Sequence, residues 1–208
     1  MFITFEGIEG CGKSTQAARL VDRLNLQGIP TLLTCEPGGT PIGKGIRAML
    51  LDTQNRGMSP ETELLLYAAD RAQHVREVIR PALGDGRWVV CDRFFDATTA
   101  YQGYGRGQDL SWISTLNEKA ICGVRPDMTI LVDCPVSIGI QRALARVHAT
   151  RQEKQARFEN EDRPFHEAVR KGYLEIAERE PKRFIVVDGT LGENELEEKI
   201  FEHVSARI

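Results

Sequence analysis

Residues 7–14 read Gly-Ile-Glu-Gly-Cys-Gly-Lys-Ser, a complete GxxxxGK[ST] pattern set directly after the apolar run 1–5 and directly before a stretch of helical periodicity. A strand that ends in a glycine-rich turn and continues as a helix turns backbone N–H groups inward around an anion, and the helix points its positive end at the same spot. In such a cradle Lys13 reaches the β- and γ-phosphates and Ser14 can hold Mg²⁺, while Gly7, Ile8, Glu9, Gly10, Cys11, Gly12 and Thr15 complete the wall. The stretch predicts a site for a nucleoside triphosphate.

Outward from the loop, short apolar runs ending in polar residues recur at 2–5, 31–35, 88–91, 128–132 and 184–187, with helical patterns between them. Such runs suit strands buried on both faces of a parallel sheet. Their alternation with helices predicts an α/β fold of three layers, α/β/α, around five parallel strands joined by right-handed crossovers. Ligands gather at the carboxyl ends of strands in that architecture. There the sequence places Glu6-Gly7, Glu36-Pro37-Gly38-Gly39, Asp92-Arg93 and Asp133, the last of which could instead be a structural cap. Ser59 can cap a helix opening at Pro60, with Glu61 and Glu63 near its positive end, and the pattern runs to Arg80 before Pro81 stops it. Near the C-terminus Leu196, Ile200, Phe201 and Val204 form a helical stripe suited to core packing.

The 208 residues suffice for one large core, and no composition shift marks a second domain, so one domain over 1–208 with a mobile insertion is expected. With 27 basic against 30 acidic residues the net charge is −3, which offers no general attraction to nucleic acid or anionic membranes. An anionic ligand must then be held by locally placed arginines. The N-terminus lacks the zones of a signal peptide and no apolar run approaches membrane-spanning length, so a soluble cytoplasmic protein is expected. Five cysteines, Cys11, Cys35, Cys91, Cys122 and Cys134, lack metal-ligand spacing and read as reduced, small apolar fillers.

Between 142 and 163 the chain changes character: Arg142, Arg146, Arg151, Lys154, Arg157 and Arg163 mix with Glu153, Glu159, Glu161 and Asp162. Alone, that is an ordinary solvated helical face. Beside a phosphate cradle it becomes a candidate lid over a transferring phosphate. Phosphoryl transfer needs charge neutralised around the moving group rather than an acid–base dyad, and Lys13, Arg93 and the lid arginines supply it. A regulatory GTPase would share the loop but would also need an Asn-Lys-x-Asp segment, which the sequence lacks. A kinase with two substrates is favoured, and another small-molecule kinase with the same loop is the alternative.

Phe5-Glu6-Gly7, then Glu36-Pro37-Gly38-Gly39-Thr40, Tyr67-Ala68-Ala69-Asp70-Arg71, Asp92-Arg93-Phe94, Ala100-Tyr101-Gln102-Gly103, and Arg157-Phe158-Glu159 ahead of Gly172-Tyr173-Leu174 resemble the bacterial thymidylate kinases in residue type and order across essentially the whole chain. The resemblance implies transfer of the γ-phosphoryl group of MgATP to thymidine 5′-monophosphate by a homodimer. It also implies roles. Tyr67 would stack on thymine, and Arg71, one turn later on the same face, would donate to a base carbonyl. Arg93 and Arg47 would hold the acceptor phosphate. Thr98 and Gln102 would meet the base edge, and Tyr101 would occupy the place of a ribose 2′-hydroxyl. Glu9, Glu36 and Pro37 would border the acceptor, the two carboxylates orienting a sugar hydroxyl or a Mg²⁺-bound water; Asp92 is a further candidate for the metal shell. Relatives can carry a catalytic arginine at the position of Gly10. With glycine there, the resemblance assigns that role to the lid, to Arg146, Arg151 or Arg157.

Overall fold

The five apolar runs form five strands, each ending at or next to a polar group: β1 (Phe2–Glu6), β2 (Thr31–Cys35), β3 (Trp88–Asp92), β4 (Met128–Asp133) and β5 (Phe184–Asp188). They pair in parallel in the order β2-β3-β1-β4-β5. Register sets Ile3 beside Val90 and Met128, and Cys35 beside Asp92, so the polar strand ends gather at one edge of the sheet. The structure, a computed structural model, describes residues 1–150 and 157–208.

The helices are α1 (Lys13–Leu26), α2 (Pro41–Leu51), α3 (Pro60–His74), α4 (Arg80–Gly84), α5 (Phe95–Thr98), α6 (Leu110–Ile121), α7 (Val136–Thr150), α8 (Arg163–Arg179) and α9 (Glu193–Ser205). Helices α1 and α9 pack together, and Ile3, Phe5 and Val90 share an apolar cluster with Leu20, Leu24, Ile200 and Val204 from them. Since side chains alternate along a strand, Phe2, Val89 and Cys91 meet Val75, Ile79, Phe94 and Ile121 in a second cluster. The predicted C-terminal stripe is in place: Leu196, Ile200 and Val204 are buried, while Phe201 lies under the Arg23 guanidinium.

Three local expectations need correcting. Burial on both faces holds for the inner strands only; Leu33 on β2 and Val186 on β5 stand open, because helices seated over the middle of a sheet leave its rims uncovered. Ser59 caps α3 by accepting from the Thr62 N–H at 3.2 Å, but Pro81 does not stop the helical path. A π-turn at Val75–Ile79 intervenes, and Pro81 lies at the opening of α4, where a missing N–H costs little. Burial of Val75 and Ile79 against the sheet anchors that wide turn. Cys11, Cys91 and Cys134 are buried as fillers; Cys122 is exposed, in a left-handed conformation at the end of α6.

Candidate active site

The glycine-rich loop connects β1 to α1, as the pattern requires. At Gly10, with φ of +69°, an added Cβ would lie 2.0 Å from the Gly139 carbonyl oxygen and 2.9 Å from the Ala143 nitrogen. The α7 backbone therefore closes directly on the loop, and no side chain fits between them. Lys13, largely buried at the start of α1, donates to the Ile8 carbonyl at 3.3 Å, a weak tie. The Ser14 hydroxyl donates to Asp92 Oδ2, while buried Asp92 Oδ1 has no partner among the described residues. A hydroxyl beside a carboxylate oxygen awaiting a partner suits a hard cation that takes its remaining ligands from water and phosphate.

One cavity of about 270 Å³ lies at the strand ends, and its wall includes Glu9, Lys13, Ser14, Glu36, Pro37, Arg47, Tyr67, Arg71, Asp92, Arg93, Thr98, Tyr101, Gln102 and Arg146. These residues come from widely separated stretches of the chain. Gly7, Ile8, Gly10, Cys11, Gly12 and Thr15 belong to the loop and the start of α1 without lining that cavity.

Arg93, which follows β3, adopts a φ of +71°, an uncommon conformation for a side-chain-bearing residue. The turn aims its guanidinium inward. It donates to the Tyr173 hydroxyl at 3.0 Å, the Tyr101 hydroxyl at 2.9 Å and Glu9 Oε1 at 3.1 Å, and Tyr101 donates to the same Glu9 oxygen at 2.6 Å. Burial pushes the Glu9 carboxyl up, but His166, Arg93, Lys13 and Tyr101 more than reverse this and hold it well below the ordinary range. His166 Nδ1 stands 3.5 Å from Glu9 Oε2, and neither atom completes a hydrogen bond among the described residues. Beneath them Glu6 accepts from Tyr173 at 2.8 Å and from the Phe94 N–H at 2.7 Å. Burial, with Asp96 nearby, pushes the Glu6 carboxyl up to about 8.

Arg71 is 1% exposed. Its Nε donates to Glu36 Oε2 at 2.9 Å, one terminal nitrogen to Asn117 at 2.9 Å, and the other to the Phe94 carbonyl at 3.2 Å and the Thr98 hydroxyl at 3.0 Å. Of five guanidinium hydrogens, one on the nitrogen facing Asn117 has no partner among the described residues. Glu36 does something the sequence did not suggest: with His74 bound to its other oxygen at 2.9 Å, it fixes Arg71. Glu36 also lines the cavity, and because a carboxylate has about four acceptor sites, the two buried partners leave lone pairs for the sugar hydroxyl or metal-bound water expected of it. His74 and Asn117 were not singled out in the sequence, while Glu63 entered only as an acid at a helix start and Tyr173 only as part of a motif, neither with a role at the site. Their polarity inside helical patterns was the available sign.

The arginine-rich segment 142–163 divides. Arg146 lines the cavity and donates to Glu159 at 3.2 Å. Arg157, expected as a catalytic candidate, is buried and does not line that cavity, with Nε on the Leu50 carbonyl at 2.6 Å and a terminal nitrogen on Glu63. Its fork is held by fixed acceptors, so it secures the chain there. Arg142 donates to the Gly189 carbonyl and Arg163 pairs with Glu167 at the start of α8. Arg151 lies outside the described residues. Asp133, expected as a possible structural cap, takes two hydrogen bonds from the Arg170 guanidinium, at 2.7 and 2.8 Å, an ion pair. Among the described residues no helix is long and apolar enough to cross a membrane.

The family model for thymidylate kinase matches residues 5–200. The thymidylate kinase of Geotalea uraniireducens is 53% identical over 207 residues, covering 100% of this chain and 97% of that protein. That of Geotalea daltonii is 58% identical over 189 residues, covering 90% and 88%. The crystal structure of thymidylate kinase from Ehrlichia chaffeensis is similar with a TM-score of 0.78 and 34% identity, covering 99% of this chain and 98% of that one.

Proposed function

The chain belongs to the thymidylate kinase family, and from that premise we infer how its residues divide the work. The enzyme phosphorylates thymidine 5′-monophosphate with ATP as donor. In our reading the loop 7–15 cradles the triphosphate and Lys13 follows the γ-phosphate as charge builds on it. Arg93 holds the acceptor phosphate against the same point, and Arg47 adds a second contact. Neutralising both sides of the moving group lowers the barrier without a covalent intermediate. Arg146 is the lid arginine we assign to that group. Tyr67 stacks on the base, Arg71 offers its remaining N–H to a base carbonyl, and Tyr101, locked between Arg93 and Glu9, fills the room a 2′-hydroxyl would need. The single observation carrying this is the shared cavity, whose wall joins Lys13 and Ser14 to Tyr67, Arg71 and Arg93.

Ser14 and the unpartnered oxygen of Asp92 would hold Mg²⁺. When bound, the ion screens the phosphate oxygens and favours in-line transfer. The chain acts, in our reading, as a cytoplasmic homodimer and a single domain, and sedimentation measures its assembly state. The acceptor claim is tested by coupled ADP release with deoxy- and ribonucleoside monophosphates in turn. Preference for the thymidine compound is expected; equal turnover of all acceptors would overturn the assignment of Tyr67, Arg71 and Tyr101.

A further inference from the structure

Glu63 lies on α3, one turn before Tyr67, and is 1% exposed. It does not line the cavity, yet Gln102, which does, donates from Nε2 to Glu63 Oε1 at 3.0 Å. Arg106 reaches the same carboxylate at 3.2 and 3.4 Å, and Arg157 binds its other oxygen. Burial pushes the Glu63 carboxyl up, and Arg106, Gln102 and Arg157 more than offset this and hold it below the ordinary range. It is therefore an anion, and an ionised carboxylate accepts hydrogen bonds without donating any.

That restriction passes to Gln102. An amide can present its oxygen or its nitrogen, and in isolation the two ends exchange by a simple flip. Facing Glu63, only the nitrogen is favourable; the flipped amide would set oxygen against a buried negative charge. We propose that Glu63 is a specificity-determining positioning residue: by pinning the Gln102 nitrogen it leaves the Gln102 oxygen as the group offered to the base. An acceptor at that place matches the N3–H of a thymine or uracil ring and repels the lone pair of a cytosine N3. The inference rests on the reading of the cavity as the seat of the acceptor's base. It also explains why a buried carboxylate stands behind a neutral amide, where a neutral partner would leave the amide free to turn.

The test compares thymidine monophosphate with 5-methyl-deoxycytidine monophosphate, acceptors that differ only in base-edge polarity. In the wild type the ratio of kcat/KM values should strongly favour the former. Glu63→Gln, which lets both amides turn, should lower that ratio about tenfold, the scale of one misdirected buried hydrogen bond. Glu63→Asp should keep most of it. In a Gln102→Met background the Glu63→Gln change should have no further effect on the ratio. Because each ratio is taken within one sample, partial unfolding cancels. As a measurement independent of any substitution at 63, the wild-type Gln102 side-chain amide should give a proton resonance shifted downfield by the carboxylate. An unchanged ratio in Glu63→Gln, an equal loss with and without Gln102, or a Gln102 amide with solvent-like shifts would overturn the proposal. A wild type that ignores thymidine monophosphate would instead overturn the proposed function.

Discussion

Replacing Gly10 with alanine tests how the phosphate loop is held against α7. An ideal Cβ at Gly10 would lie 2.0 Å from the Gly139 carbonyl oxygen, well inside contact distance, at a φ of +69°. Gly28 supplies the control, since its φ is +78° and, among the described residues beyond its chain neighbours, nothing stands within 4 Å of its Cβ position. Both changes carry the left-handed penalty of about 1–2 kcal/mol. Gly10→Ala adds an overlap with helix backbone that can relax only by moving the loop or α7, about 1–3 kcal/mol more. For a chain of this size that excess lowers Tm by about 2–12 °C. Thermal melting of the two variants measures the difference, and the KM for ATP should rise in Gly10→Ala while staying near wild type in Gly28→Ala. Equal melting losses would refute the claim that α7 closes on the loop, and with it the explanation of why this chain carries glycine where an arginine can stand in relatives.

Lys13→Met should cut kcat by about a hundredfold or more with little loss of stability, since among the described residues the side chain makes one long hydrogen bond; single-turnover kinetics and melting curves separate the two. Arg146→Ala should lower turnover and leave stability near wild type, whereas Arg157→Ala, which strips a buried partner from Glu63, should cost about 3 kcal/mol; urea titrations that reverse this order would contradict the geometry. Asp70 is buried beside Glu36 with one oxygen lacking a partner among the described residues, and burial with that neighbouring charge pushes it up to about 6 from 3.8. The folded chain binds this proton more tightly than the unfolded one, so the stability it contributes is fully present below pH ~4 and lost as pH rises through ~6. Asp70→Asn, which can still accept from the Gly38 N–H, should be more stable than wild type at pH 8, by at most about 3 kcal/mol, and should flatten the profile between pH 4 and 7. A larger gain at pH 4 than at pH 8 would contradict the sign.

Local rules made much of this protein legible. Strand positions followed from apolar runs because a parallel sheet needs uninterrupted apolar segments, and the Ser59 cap and the glycine loop followed from backbone donors that must be satisfied nearby. The carboxyl-end rule then forecast which polar residues would meet. Pro81 misled because the penalty for proline depends on the hydrogen-bond register around it, and a π-turn stabilised by burial of Val75 and Ile79 changes that register. The second π-turn, Thr99–Gly105, which carries Tyr101 and Gln102 into the wall, left no periodic signature.

The sequence by itself determined the sheet, the phosphate loop and the set of polar groups delivered to one edge, because each depends on neighbours within a few residues. Only the tertiary structure decided which of those groups face the cavity and which hold others in place. Glu36 and Glu63 look alike in the chain as acids near candidate site residues, yet one clamps Arg71 and the other pins Gln102. Arg146 and Arg157 are equally basic, yet one lines the cavity and the other is fastened to Leu50 and Glu63. Such roles depend on acceptors tens of residues away, and a buried donor takes its function from whichever acceptor the fold brings to it.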